Sequence, residues 1–542
     1  MPPDIQSSTD VTVATPNVAP TSRPPKGLDF WLILVSLCIT LWLYALELTA
    51  VSTALPTIAS ALHATQFVWV GSAYALASTA FLPMSGGLAE VFGRKPAVLL
   101  CIFLFSAGSA ICGAAQNMDM MIAGRTVQGL GGGGIQALAY IILADLVSLE
   151  ERGVYTGIYG ITFCTACFIG PVVGGSLASQ GSWRWLFYLN LPIAGLAALV
   201  VFFCMHLPSP PGGFWQKVGR LDWIGNFMVV ASTTSCTIAL TWGGVIAPWN
   251  SAKVLVPLIL GLCGLLCFIF YEAKWAKYPL TPWAVISNRT SISGYLQTFF
   301  VAIIALGSVY FIPVYYQACK NASPVRSGVL LLGLSSLAPA FIIAGVSVKR
   351  TLRYRPQMYL GWCLIMLGLG LMSTLKADST IAKAVGFSIL LGIGIGLEYS
   401  TTVFPVQAPL PVTLNAPSLA FLLFIRSFAT VWGITIGSTV VQNQLNVHLP
   451  AQFLAQVPQG VSATYALIPQ IPSFPPAEAE AVREAFANGL QVFWEVLIGI
   501  AGMGLLSSLL MKGLPLSSLT DEKWDLQQKQ AFAEKETEAL VD

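Results

Sequence analysis

Glu47 and Arg125 are the residues that most need a purpose, because each lies in a long uncharged surrounding. Glu47 is flanked by Leu46 and Leu48 and followed by Thr49 and Ala54-Leu55-Pro56, while Arg125 leads the run Arg125-Thr126-Val127-Gln128-Gly129-Leu130. A fixed cation facing lipid costs about 2.5–3.5 kcal/mol on insertion scales, so Arg125 is expected to face a cavity or a carboxylate. A carboxylate at such depth is poorly hydrated, which makes it a natural carrier of protons. The place of Glu47, nine residues before Pro56, favours that reading over a carboxylate at the outer interface. Glu398 and Arg426 are the other charges set inside apolar blocks, and one can neutralise the other. Glu495, near the end of a block, reads as interfacial.

Three further constellations are built from glycine and proline. Gly86-Gly87-Leu88-Ala89-Glu90-Val91-Phe92-Gly93-Arg94-Lys95 combines small residues, which let helix ends approach, with an acid and bases able to pair across a seam. Gly131 to Gly134 follow Arg125 and strip one stretch of helix of side chains, which permits tight packing. Gly170-Pro171-Val172-Val173-Gly174-Gly175 couples a missing backbone donor to small residues through which a neighbouring helix can press in. A plain turn, close packing and a kinked helix are the ordinary readings of these three.

The elements that must carry these residues follow from composition. Of 542 residues, 55% are hydrophobic and 9% charged, against roughly a quarter charged in soluble domains. Between Lys95 and Asp119 there are 23 uncharged residues, and between Arg326 and Lys349 there are 22. About 20 apolar residues in helix cross a bilayer core. Only segments that pair their own backbone can do so, and a barrel strand would be half as long and alternating. The chain is therefore expected to be an all-α membrane protein. Predicted spans are 29–52, 67–88, 96–115, 119–143, 154–178, 185–206, 222–244, 253–271, 292–316, 327–347, 357–375, 381–402, 417–441 and 489–511. Most of the eleven cysteines fall inside these blocks as small hydrophobes, and Cys164-x-x-Cys167 lacks a second pair, so no metal is expected.

The basic residues orient these fourteen spans. With the N-terminus in the cytoplasm, 18 Lys and Arg fall inside and 7 outside, and Arg125 and Arg426 within spans complete the 27. Residues 1–27, rich in Pro, Ser and Thr, read as a disordered cytoplasmic tail, and 512–542 as a second one. The connection 442–488 is expected outside, as is the glycosylation sequon at Asn321, whose nearness to the membrane and to Pro324 weighs against its use. The turn from Gly87 to Pro96 is echoed by one running from Gly345 through Lys349, Arg350, Arg353 and Arg355 to Pro356. That spacing suggests two six-helix bundles, 28–206 and 292–511, separated by a linker 207–291 holding a further helix pair. Repeated halves about a central site are what alternating access requires.

Taken together, these motifs resemble the major facilitator superfamily, and within it the fourteen-span drug:proton antiporters typified by fungal multidrug and toxin efflux pumps. Gly87 to Lys95 resembles the superfamily's loop motif, with Glu90 where Asp is usual. Arg125-x-x-Gln128-Gly129 resembles the fourth-helix motif linked to proton transfer, and Gly170-Pro171-x-x-Gly174-Gly175 the antiporter motif. Leu46-Glu47-x-Thr49 with Ala54-Leu55-Pro56 resembles the first-helix motif, with Glu47 in place of Asp. Trp183-Arg184-Trp185 with Phe187, Asn190 and Pro192, Trp242-Gly243-Gly244 and Tyr315-Tyr316-Gln317 also fit that branch. The resemblance implies a proton-coupled exporter of small organic compounds and not an enzyme, driven by the proton gradient without a cofactor. It implies that Arg94 pairs with Asp145 to gate the bundle seam. A monomer in the plasma membrane, with no nucleic-acid partner, is expected. A vacuolar amino-acid transporter and an importer of the same fold are the alternatives. No G-x-x-x-x-G-K-[ST] loop is present, which argues against ATP-driven export.

Overall fold

A computed structural model describes residues 26–62, 68–179, 183–205, 207, 210–244, 247–449 and 468–518. The two tails and the middle of the 442–488 connection lie largely outside the described residues. Among the described residues there are fourteen helices of fifteen residues or more: α1 (Leu28–Ala61), α2 (Val68–Phe92), α3 (Arg94–Gly113), α4 (Met118–Leu146), α5 (Leu149–Ser179), α6 (Asn190–Cys204), α7 (Trp223–Trp242), α8 (Ala252–Lys274), α9 (Arg289–Lys320), α10 (Leu337–Thr351), α11 (Arg355–Met372), α12 (Ile381–Thr401), α13 (Asn415–His448) and α14 (Pro476–Ser508). Among the described residues, twelve helical stretches are long and apolar enough to cross a membrane. α5, which opens on Glu150, Glu151 and Arg152, and α11, which opens on Arg355-Pro356-Gln357, are outside that set. α13 and α14 run to His448 and from Pro476, so the connection between them is shorter than 442–488.

Packing repeats with an offset of eight helices. In the first half α1 packs on α5 and α6, α3 on α4 and α6, and α2 on α4. In the second half α9 packs on α13 and α14, α11 on α12 and α14, and α10 on α12. The halves meet through two equivalent pairs, α5 on α10 and α2 on α13, which is the signature of a pseudo-twofold axis. The helices α7 and α8 pack on each other, and α7 leans on α2 and α13. Each half encloses its own apolar core, and a third cluster fills the seam between them.

Why α4 sits so deep follows from its glycines. A methyl on Gly131 would lie 2.3 Å from the Phe105 nitrogen, one on Gly133 2.3 Å from the Ser78 oxygen, and one on Gly134 2.3 Å from the Cys101 sulfur. α4 therefore rests on α2 and α3 partly through bare backbone, and the run is a packing surface. Between α2 and α3 the corner is a single residue, Gly93, at φ 97°, a conformation that side chains with a Cβ disfavour. The end of the molecule carrying Arg94, Lys95, Lys349, Arg350, Arg353 and Arg355 is its basic end.

Candidate functional site

Glu47 and Arg125 meet. Both are buried, and Arg125 Nη1 donates to Glu47 Oε1. The guanidinium is held on other sides as well, by the Val70 carbonyl at 2.8 Å from Nε and by Gln128 Oε1 at 2.8 Å from Nη1. Asn190 Nδ2 donates to the other carboxylate oxygen at 2.6 Å, and Gln128 Nε2 to Ser109 Oγ at 2.7 Å. The Tyr74 ring lies 4.4 Å from the guanidinium carbon, a cation–π distance. Five helices, α1, α2, α3, α4 and α6, thus converge on one ion pair inside the first half.

A buried pair held this way repays its desolvation only when the lone pairs and protons around it are satisfied, and here nearly all are. Removing the negative charge would leave Arg125 uncompensated. Sequence reading found the ion pair members but not the roles of Tyr74, Ser109 and Asn190. Asn190, a lone amide in an apolar block, was the one visible signal.

Gly170 of α5 lies against α1, where an added methyl would meet Thr49 Oγ1 at 2.2 Å. Gly174 is buried, and Pro171 and Gly175 belong to the same helix. Gly170 therefore lets α5 press onto the helix that carries Glu47.

At the basic end Arg94 Nε donates to Asp145 Oδ2 at 2.9 Å, both side chains being buried, and Arg94 Nη1 donates to the Ala89 carbonyl at 2.8 Å. This pair joins α3 to α4 within one half and does not itself cross the seam. Three consecutive residues of α5 make contacts that do cross it. Lys349 Nζ lies 3.2 Å from Glu151, Arg152 donates to Gln407, and Gly153 is in backbone contact with Gly345. Arg152 is anchored by the Ala144 and Val147 carbonyls at the end of α4, beside Asp145. Gly86 lies against Ala416 and Ala420 of α13. Close contacts between the halves continue to the level of Gly160 with Phe341, and of Thr79 with Ser427 at 2.6 Å. Nothing in the sequence singled out Glu151, Arg152 or Gly153. Glu90 closes the last turn of α2, and Lys95 lies 4.9 Å from the centre of the Phe202 ring.

Glu398 and Arg426 do not pair. They belong to different surfaces of the second half, since Glu398 faces the Gly361–Trp362 backbone of α11 and makes no hydrogen bond of normal geometry among the described residues. Arg426 instead turns toward Tyr399 and Thr402. Asn321 ends α9 in the left-handed region at φ 50°, exposed, where Asn is well tolerated.

Residues 37–434 match the sequence profile of the Major Facilitator Superfamily. The chain belongs to this superfamily. It is 37% identical to the MFS-type efflux pump LUC4 of Fusarium sp over 98% of both chains. It is 36% identical to the efflux pump FUS6 of Gibberella fujikuroi over 93% of both, and 36% identical to the acurin A biosynthesis cluster MFS-type transporter of Aspergillus aculeatus over 93% of both. Solved structures agree in fold. The human organic anion transporter MFSD10 superposes with a TM-score of 0.55 at 14% identity, over 90% of this chain and all of that one. The proton:xylose symporter XylE gives 0.54 at 12% identity, over 89% and 94%. The protein is a multi-pass membrane transporter for small molecules.

Proposed function

We propose that this transporter is a proton-coupled antiporter of the fourteen-span drug:proton branch, exporting a drug, toxin or secondary metabolite from the cytoplasm across the plasma membrane. Its efflux-pump relatives support the direction. The observation that carries the coupling is the closed cluster of Glu47, Arg125, Gln128, Asn190 and Ser109. The basic end is taken as cytoplasmic, by the excess of Lys and Arg there. All fourteen helices are taken to span, because α5 and α11 occupy places equivalent to those of spanning helices α13 and α3.

On this reading the halves are closed at the cytoplasmic end, and a proton reaches Glu47 from the outer side. Neutralising the carboxylate strips Arg125 of its counter-ion in a place where an uncompensated cation is costly. Arg125 must then find other partners, which loosens the packing of α1, α4 and α6 and favours opening toward the cytoplasm. Cargo enters, the proton leaves as Arg125 recaptures Glu47, and the halves close again. The test is efflux from proteoliposomes and from pump-deficient yeast challenged with a drug and metabolite panel. Export is expected to collapse with a protonophore and in Glu47→Gln, while exchange of labelled for unlabelled cargo survives in Glu47→Gln. Gradient-driven export that persists in both conditions would refute proton coupling.

A further inference from the structure

Arg426 is a buried cation to which the described residues supply no counter-ion. The described ion pairs are Lys26 with Glu151, Arg94 with Asp145, Arg125 with Glu47 and Lys349 with Glu151, and Arg426 is in none of them. Its residue is 9% exposed, and its Nε has no hydrogen-bond partner among the described residues. Two neutral acceptors hold its other arm at long range, both at 3.3 Å from Nη2: the Tyr399 carbonyl and Thr402 Oγ1. The Tyr399 ring lies 4.5 Å from the guanidinium carbon, and the Tyr140 hydroxyl of the first half also stands within its reach.

What Arg426 faces is the space between the halves. In this closed arrangement the space is a cavity of only about 10 Å³, room for about one water, with Tyr140 and Thr156 from the first half opposite Phe341, Tyr399, Ser400 and Arg426 from the second. Another, more open hollow, lined by Arg220 and Lys277, lies at the basic end of α7 and α8, outside both six-helix bundles. An intramembrane charge that faces a cavity marks a substrate path unless a charged partner explains it, and among the described residues none does. Tyrosine rings on both sides of the seam, two hydroxyls and one fork of N–H donors line what becomes, when the halves part, a site for a flat or flexible apolar body carrying a single negative group.

Resting on the export reading above, we propose that Arg426 is the recognition point for cargo, and that the cargo class is organic acids, chiefly aromatic or aliphatic carboxylates. The carboxylate takes the Nε and the adjacent Nη of Arg426, and the apolar body lies between Tyr140 and Tyr399. Bound cargo thereby completes an ion pair that the empty protein leaves open, and it does so across the seam that must open and close.

The experiment is titration of the purified full chain in nanodiscs, without a pH gradient. The probes are 1-naphthaleneacetic acid, dansyl-phenylalanine and dodecanoic acid, each beside its methyl ester. At least one acid is expected to bind ~tenfold or more tightly than its ester, since a charged hydrogen bond contributes about 1.5–3 kcal/mol. Arg426→Gln is expected to remove that preference and leave ester binding within about twofold, and Arg426→Lys to restore part of it. Acids that bind no better than their esters overturn the proposal. So does a Gln variant that weakens acid and ester alike, which would make Arg426 a cap for the end of α12. Should Arg426→Gln fail to fold, the acid-to-ester ratio of the unmutated chain and of Arg426→Lys decides the matter. Acid binding without gradient-driven export would sink proton antiport and leave this assignment standing, whereas gradient-driven export of neutral compounds alone would do the reverse.

Discussion

Closure of the basic end depends on a place where two helices touch without side chains, and one methyl group should pry it open. A Cβ built on Gly345 of α10 would lie 2.1 Å from the Gly153 oxygen and 2.3 Å from its carbonyl carbon. Both atoms belong to the backbone of α5, so no rotamer change relieves the clash. Restoring the 3.4 Å of ordinary contact requires α10 to withdraw by about 1.3 Å along that line. Overpacking of this kind costs about 1–3 kcal/mol, and here the cost falls on the closed arrangement alone, because halves that part at this end no longer bring the two glycines together. A bias of that size shifts a two-state equilibrium roughly 5- to 150-fold. Alanine is also the better helix former, by about 0.8–1 kcal/mol, so the variant should fold.

The assay uses Ser400→Cys as reporter, at a buried position lining the space between the halves. An impermeant maleimide is applied to the cytoplasmic face of inside-out vesicles, and the rate for the chain without the reporter is subtracted. Gly345→Ala should raise labelling at least about fivefold and depress export. Gly386→Ala, where an added methyl meets nothing within 4 Å, should change neither. Labelling and export in Gly345→Ala that match the Gly386→Ala control would refute the claim that this contact holds the cytoplasmic end shut.

Two further outcomes follow from packing and charge. Exchanging the partners in Arg94→Asp with Asp145→Arg should recover some of the transport lost in either single variant, though not all, because the guanidinium moved onto α4 would face Arg152; no recovery would count against the pairing. Gly133→Ala should lower thermal stability and yield sharply, since its methyl would meet the Ser78 oxygen at 2.3 Å, and unchanged melting would mean that α2 and α4 are not in backbone contact.

The sequence announced its helices clearly because lipid removes every other way to satisfy a backbone, and a bilayer sets their length. It also announced Glu47 and Arg125, since charges in apolar blocks have few explanations, whereas the Arg94–Asp145 pair came only from the family resemblance. It was silent where the answer is spatial. Asn190 lies 143 residues from Glu47, and Gln407 lies 255 from Arg152, and no local pattern links such residues. The supposed neutralisation of Glu398 by Arg426 failed for a related reason. Two charges in neighbouring helices of the same half can point to opposite faces, one into the bundle and one into the seam.

The distance between the two sites constrains how they can be coupled. Arg125 stands in the second turn of α4 and Asp145 in its last, some 20 residues apart, which is about 30 Å of helix. The Glu47 cluster lies wholly within the first half, and the seam contacts begin just beyond the far end of the same helix. Local rearrangement near Glu47 could reach the seam by sliding α4 alone, or by moving the half as a body. Sliding is opposed by the glycine face, where Gly131 and Gly133 interlock with the backbones of α3 and α2. A shift of even one or two ångströms along the axis would drive side chains into those backbones. If protonation of Glu47 is felt at Arg152, the first half must therefore rock as a unit, pivoting on α2 against α13 and on α5 against α10. The contacts that break are then those built from glycine and from single hydrogen bonds. These can be remade in each cycle at small cost, while the buried Arg94–Asp145 pair inside the half stays closed.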